Sequence, residues 1–294
     1  MPEPLGLIGV GLLGGALAAR LAERGHDVLA FDANANQRAQ LRVVEMRWAP
    51  SASDVWQTCD CVLLSLPHSD VVAEVLDDAR RWIREGQVVI DTTTGRPSAM
   101  SEFARQLARQ GAAYIEASVA GSSEQARRGK AALLIGGETR AVERQTPLLK
   151  DLADLHWHLG EVGAGSRFKL VHNLVLGLHR LVLAEGLVFA EAFGFSSATT
   201  LEVLQQTPAA SRVMETKGEK MAQRDFTPQA RLRQHHKDVR LIQEEAAALG
   251  LSLPLTHLHE QLLTLAESQG WGELDNSAIL GALEVIARRS PDST

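Results

Sequence analysis

The sequence predicts an α/β N-terminal domain on a parallel-type sheet, followed by an all-α C-terminal domain joined by a long helix. Three observations carry this expectation. Short apolar runs alternate with helical stretches from Leu5 to about Leu159, the order that gives parallel strands with helical crossovers. Strand signals stop after Gly165. Ser166 to about Phe193 is then one long apolar stretch of helical character, with Gly194 placed to end it. The domains are set at residues 1–162 and 163–294. No Pro- or Ser-rich linker separates them, so close packing and an active-site cleft between them are expected.

The first element is the run ending Leu7-Ile8, read as a buried strand. Gly9, Gly11 and Gly14 follow as Gly-x-Gly-x-x-Gly, with a helical stripe of Leu13, Leu17 and Leu21. Gly9 permits a tight turn out of the strand. Gly11 leaves room for a pyrophosphate against the backbone, and Gly14 lets helix and strand pack closely. The helix start offers free N–H groups and a positive dipole end to phosphates. An ordinary strand-turn-helix would carry the same glycines. Gly25 ends the helix, however, and Asp27–Phe31 reads as a second strand ending at Asp32, where a carboxylate binds both hydroxyls of an adenosine ribose. That order predicts a dinucleotide site in a Rossmann-type domain, with Gly9, Val10, Gly11, Leu12, Leu13, Gly14 and Asp32 binding the cofactor. Asp32 repels a 2′-phosphate, so NAD is favoured; Arg38 further on keeps NADP open.

Strands are expected next at Cys61–Leu66, Gln87–Asp91, Ala113–Ala117, Ala131–Ile135 and Leu155–Leu159, with helices at Val71–Ile83 and Pro97–Arg109. Ligands of such sheets lie at the carboxyl ends of strands, so Leu66-Pro67 and the Asp91–Thr94 segment are expected to border the cofactor. In the second half, helices are expected at Leu201–Gln206, Arg231–Leu249, Thr256–Glu267 and Ser277–Arg289, with Ser290–Thr294 frayed.

Composition bounds the function. The chain has 294 residues, 45% hydrophobic and 22% charged, with a formal net charge of -6. An acidic balance disfavours nucleic-acid binding. No uncharged run reaches the length of a membrane span, and the chain runs from Met1 straight into the first strand without a signal peptide, so a cytoplasmic protein with no membrane partner is expected. Cys59 and Cys61 are the only cysteines of the sequence, and a disulfide between them is not expected. His156 and His158 lack an accompanying cysteine or carboxylate cluster, and His257 and His259 fall about 200° apart on a helix, so no metal site is expected at these pairs or at His235/His236. The scattered tryptophans read as core or interface, and Arg80-Arg81 and Arg127-Arg128 as solvated faces.

A second constellation lies where the halves meet. In the run Gly163 to Asn173, residues Lys169, His172 and Asn173 fall at i, i+3 and i+4 of a helix and share a face. A solvated helix start explains a lysine and an asparagine there; so does a polar cleft facing a cofactor.

The chain resembles the β-hydroxyacid dehydrogenase family over essentially its whole length, through four separated motifs. These are the glycine loop continuing to Gly25-His26-Asp27-Val28; Glu116–Ser123 with Gly129 and Gly136-Gly137, similar to the family's Asp-Ala-Pro-Val-Ser-Gly-Gly substrate loop; Gly163-x-Gly165-x-x-x-Lys169-x-x-His172-Asn173, similar to its Gly-x-Gly-x-x-x-Lys-x-x-Asn-Asn helix; and Lys237-Asp238 with Phe226 and Pro228 upstream. The resemblance implies NAD(P)-dependent interconversion of a small 3-hydroxy acid and its semialdehyde. Lys169 would be the catalytic lysine and Asn173 a substrate-binding amide. Gly121 and Ser122 would offer N–H groups to the substrate carboxylate, and Thr94 and Lys237 would lie near the nicotinamide. A homodimer or homotetramer is implied too. A lysine serves both directions when partial desolvation brings its titration toward neutrality.

Three departures bear on the substrate. Ala120 stands where the family has a serine hydroxyl on the substrate carboxylate, a loss of roughly 1.5–3 kcal/mol unless a neighbour compensates. Ser118 replaces a proline. His172 replaces an asparagine and either contacts substrate or packs. Two other readings fit the same architecture: an imine-reductase-like NADPH enzyme, against which Lys169 argues, and a non-catalytic NAD(P)-binding sensor.

Overall fold

The computed structural model describes residues 3–40 and 46–287. The expected fraying of Ser290–Thr294 and the last two residues of the helix ending at Arg289 lie outside them. The chain divides into two compact units, Met1–Lys169 and Leu170–Thr294, the division falling inside the longest helix.

The first unit is a sheet with helices interleaved. Its strands are β1 (Leu5–Ile8), β2 (Val28–Phe31), β3 (Arg47–Trp48), β4 (Cys61–Leu64), β5 (Val88–Asp91), β6 (Ala113–Ala120), β7 (Ala132–Gly136) and β8 (Leu155–His158). Its helices are α1 (Leu12–Glu23), α2 (Asn36–Gln40), α3 (Ala52–Thr58), α4 (Ser69–Ala79), α5 (Pro97–Ala108), α6 (Ser123–Arg127) and α7 (Thr139–Leu152), and α8 (Ala164–Ala192) begins here. The sheet order is β3-β2-β1-β4-β5-β6-β7-β8. Crossing outward from β1 in both directions creates a switch point beside its carboxyl end.

The parallel expectation holds for the first six strands and fails after them. β7 pairs antiparallel with β6, and β8 runs with β7. The link from Ala120 to Ala132 holds only the short α6. A parallel return needs a crossover of a dozen residues or more, so the chain comes straight back instead. β3 was not expected, because two residues carry no period. The polar Thr139–Leu152 helix was not expected either, although Val142, Leu149 and Leu152 bury one face of it. β6 runs three residues beyond its expected end; Ser118, unlike a proline, keeps its backbone N–H.

The core fills both sheet faces. Leu7, Leu17, Leu63, Ile115 and Leu133 pack one side; Trp56, Leu64, Leu76, Met100 and Leu107 pack the other. Cys59 caps the end of α3 and Cys61 opens β4, both as free thiols.

The second unit is helical: the remainder of α8, then α9 (Ser197–Gln205), α10 (Glu219–Gln223), α11 (Leu232–Ala248), α12 (Pro254–Ser268) and α13 (Ile279–Ala287). Leu183, Leu187, Val239, Leu263 and Ile279 form its core. α8 is, by length and composition alone, apolar enough to cross a membrane. The sequence reading expects no such run without charge; Lys169, Arg180 and Glu185 do lie within α8, and the core helix of a soluble protein can have the same length and composition.

Candidate active site

Chemistry-bearing residues of the first unit collect at the carboxyl ends of adjacent strands. β1 ends in the glycine loop. Gly9 takes φ +92°, and a side chain there would strike the Ser65 carbonyl, so only glycine turns the chain here. A side chain on Gly14 would strike the Gly9 carbonyl, while one on Gly11 would meet open space. Gly9 and Gly14 are therefore structural, and Gly11 leaves a cradle that a ligand can fill. Gly11 caps α1 without a side-chain acceptor, and no acidic residue sits in the first turn. The first amides of α1 thus remain available to an anion. These features fit the pyrophosphate of a dinucleotide.

Asp32 follows β2. Its Oδ2 accepts the Val10 N–H at 2.6 Å and its Oδ1 the Asn34 N–H at 2.8 Å. The carboxylate keeps lone pairs for a ribose beyond these two bonds. Arg38 lies exposed on α2.

On the other side of β1, the Ser65 N–H donates to the Ile8 carbonyl at 3.0 Å, and the Leu66 N–H to Thr93 Oγ1 at 3.1 Å. Leu66 thereby borders the glycine loop at Gly9; Pro67 follows it in the chain, and Thr94 follows Thr93. Beneath them Asp91 is wholly buried, accepting the Thr93 N–H at 2.8 Å and the Tyr114 hydroxyl at 2.6 Å. Burial pushes its carboxyl up to about 6 against those donors.

β6 comes next along the edge, with Ala120, Gly121 and Ser122 at its end. Lys169, on α8 and buried, donates from Nζ to the Val119 carbonyl at 2.5 Å. Ser122 departs from the sequence reading. Its N–H donates to Gln125 Oε1 at 2.9 Å and its hydroxyl accepts the Gln125 N–H, the capping box of α6. The N–H expected to face a substrate carboxylate is engaged within the loop.

Glu116 has no role in the sequence reading. It is buried on β6 with Oε1 accepting the Gly163 and Gly165 amides, and Oε2 the Ser166 amide and hydroxyl. Burial raises its pKa while the four donors oppose the rise. The signal was present, since Glu116 opens the quoted motif and Gly163, Gly165 and Ser166 open the next, but nothing in the sequence joins the two.

In the second unit, Asn173 lies four residues beyond Lys169 on the same helix. Its Nδ2 donates to Asp238 Oδ2 at 2.9 Å, both side chains being buried. Lys237 Nζ lies 2.9 Å from Asp238 Oδ1. Asp238 thus fixes the Asn173 amide and accompanies Lys237, a function the sequence reading assigned to neither. His172 is half-buried on α8. Among the described residues, no group of three or more His, Cys, Asp or Glu is placed to hold a metal ion.

Residues 4–163 match a family model described as the NAD binding domain of 6-phosphogluconate dehydrogenase, and residues 163–283 one described as NAD-binding of NADP-dependent 3-hydroxyisobutyrate dehydrogenase. The chain is 30% identical to 2-hydroxy-3-oxopropionate reductase of Escherichia coli, over 96% of this chain and 98% of that one. It superposes on a 3-hydroxyisobutyrate dehydrogenase of Mycobacterium tuberculosis, solved with L-serine, with a TM-score of 0.85 at 25% identity, covering 96% of this chain and 99% of that one. An imine reductase from Pseudomonas sp., with a TM-score of 0.67 at 19% identity over 96% and 99% of the chains, shares the fold alone.

Proposed function

Because this chain belongs to the β-hydroxyacid dehydrogenase family of NAD(P)-dependent oxidoreductases, we propose that it interconverts a small 3-hydroxy acid and its semialdehyde with Lys169 as general acid and base. The supporting observation is an ordering along one sheet edge. Asp32, the glycine loop, Leu66 with Thr94, and then Val119 with Lys169 follow the strand order β2-β1-β4-β5-β6. An extended dinucleotide with its adenosine at Asp32 and its pyrophosphate at Gly11 directs its other end toward Lys169.

The bound nicotinamide supplies or takes the hydride. In reduction, Lys169 Nζ donates a proton to the carbonyl oxygen of the semialdehyde. In oxidation, the neutral amine takes the hydroxyl proton. The Val119 carbonyl holds Nζ in place. Asn173, its amide fixed by Asp238, binds the substrate, and Gly121 offers backbone to the substrate carboxylate. Thr94 and Lys237 serve the nicotinamide end. Ala120 removes one hydroxyl from the carboxylate subsite, which leaves Gly121 and the neighbouring side chains to hold the acid.

The test is nicotinamide absorbance on purified protein with NADH and NADPH, across small semialdehydes, glyoxylate and 3-hydroxy acids, beside Lys169→Ala. Turnover that disappears in the variant supports the reading. Tight cofactor binding without turnover of any acid overturns it in favour of the imine-reductase or sensor reading.

A further inference from the structure

We propose that Glu116 is a positioning residue that sets where Lys169 Nζ stands; the proposal rests on the acid/base role given to Lys169. The observation is that one strand grips one helix at two points. Glu116 holds the first turn of α8 through Gly163, Gly165 and Ser166, and three residues further along β6 the Val119 carbonyl receives Lys169 Nζ. Lys169 is three residues past the last of the anchored amides. A long, flexible lysine stem is normally a poor locator of its ammonium group. Here both its root and its tip are referred to the same strand.

The seat around Glu116 is built for a carboxylate. A side chain on Gly136 would collide with Glu116 Oε1, and one on Gly165 with the Leu134 carbonyl. Gly163 takes φ +98°, which aims its N–H and that of Gly165 at one oxygen. Gly136 thus clears the volume that the carboxylate occupies, and Gly165 lets the first turn of α8 lie against β7. The helix dipole adds to the fit, since the first turn of α8 favours a negative partner. Buried with four donors, Glu116 is more than a loose helix cap; an amide in its place turns an N–H toward donors on one side and leaves at least one backbone amide unpaired.

The consequence is catalytic geometry rather than binding. Glu116 touches neither the glycine loop nor Asp32, so cofactor affinity does not depend on it. Displacement of a reacting group by about 1 Å costs on the order of 100-fold in rate.

The experiment compares wild type, Glu116→Gln, Glu116→Asp, Ser166→Ala and Lys169→Ala by three measurements: amide hydrogen exchange over residues 163–169, NADH affinity by fluorescence, and the pH profile of kcat. In Glu116→Gln, exchange at Gly163, Gly165 and Ser166 accelerates, NADH affinity stays within about twofold, kcat falls by about 10- to 100-fold, and the kcat limb absent from Lys169→Ala shifts along the pH axis. Glu116→Asp recovers part of kcat because it keeps an acceptor on each side. Ser166→Ala, which removes a single donor, gives a smaller change in the same direction and serves if Glu116→Gln does not fold. Accelerated exchange with unchanged kcat and pH profile overturns the positioning role, as does unchanged exchange. Retention of kcat in Lys169→Ala is a separate result: it overturns the acid/base assignment itself.

Discussion

The backbone amide of Val10 donates to Asp32 Oδ2 across 2.6 Å, so the acid at the end of β2 also fastens the glycine loop at the end of β1. Asp32 is thus committed to two tasks, holding the loop and receiving a ribose. Asp32→Ala removes both. Hydrogen bonds to a charged group contribute about 1.5–3 kcal/mol each, so NADH affinity falls by roughly 10- to 100-fold on losing the ribose contact. NADPH loses less, because a repulsive charge near its 2′-phosphate goes as well. Fluorescence titration of both cofactors checks the ratio; equal losses would contradict the assignment of Asp32 to the ribose.

The glycines of the same loop separate into two kinds. A methyl group on Gly14 runs into the Gly9 carbonyl, whereas one on Gly11 enters open space. Gly14→Ala therefore lowers the melting temperature, through an overpacking cost of about 1–3 kcal/mol. Gly11→Ala leaves melting close to wild type, its backbone being extended at φ -70° and ψ -159°, yet weakens cofactor binding by filling the cradle. Thermal melts with and without NADH measure both effects. A Gly11→Ala protein that melts low would show that glycine to be structural too.

These contrasts mark what was legible in the sequence. The β1–loop–α1–β2–Asp32 unit was readable because its strand, glycines, helix and acid all fall within one short stretch of the chain. The direction of β7 was not, since it depends on the length of the chain between Ala120 and Ala132 rather than on a residue pattern. The Glu116 seat joins positions 116, 136 and 163–166, and the Asn173–Asp238 bond spans 65 residues; both need the fold before they can be seen. Ser122 shows a local ambiguity. Its Ser-x-x-Gln signature with Gln125 is a capping box, and the same serine also falls in the motif that resembles a substrate loop.

Asp91 makes stability depend on pH in a stated direction. Folded, it holds its proton to about 6; unfolded, it releases it near 3.8. Between these values the folded state binds the additional proton, so this group's stabilisation is complete below the lower value and is lost as pH rises through the upper one. A difference of about 2 units corresponds to about 3 kcal/mol. Asp91→Asn mimics the protonated form: the amide donates to Tyr114 Oη, whose hydroxyl turns toward Met100 Sδ, 3.0 Å away. Urea melts of both proteins between pH 4 and 7 check this. Wild type loses stability relative to the variant as pH rises, and a constant difference would show that Asp91 is ionised throughout.

The second unit carries an apolar stripe along α8 that its own core leaves uncovered. Val171, Val175, Val182, Phe189 and Phe193 are spaced by four and seven residues, and Val182 and Phe189 are 66% and 63% exposed. That spacing keeps one seam of a helix facing a partner, and contiguous exposed apolar surface of this kind marks an interaction site. A second copy of this chain is the proposed partner, with α8 meeting the equivalent helix. Light scattering then gives at least twice the chain mass of 31.9 kDa. Val182→Glu places a charge in the middle of the seam and returns the mass to the monomer value without altering the fold, since that side chain contacts solvent in the single chain. A wild-type mass of one chain would exclude the seam as a subunit interface. Partition of wild type but not Val182→Glu into lipid vesicles would assign the same stripe to a membrane surface instead.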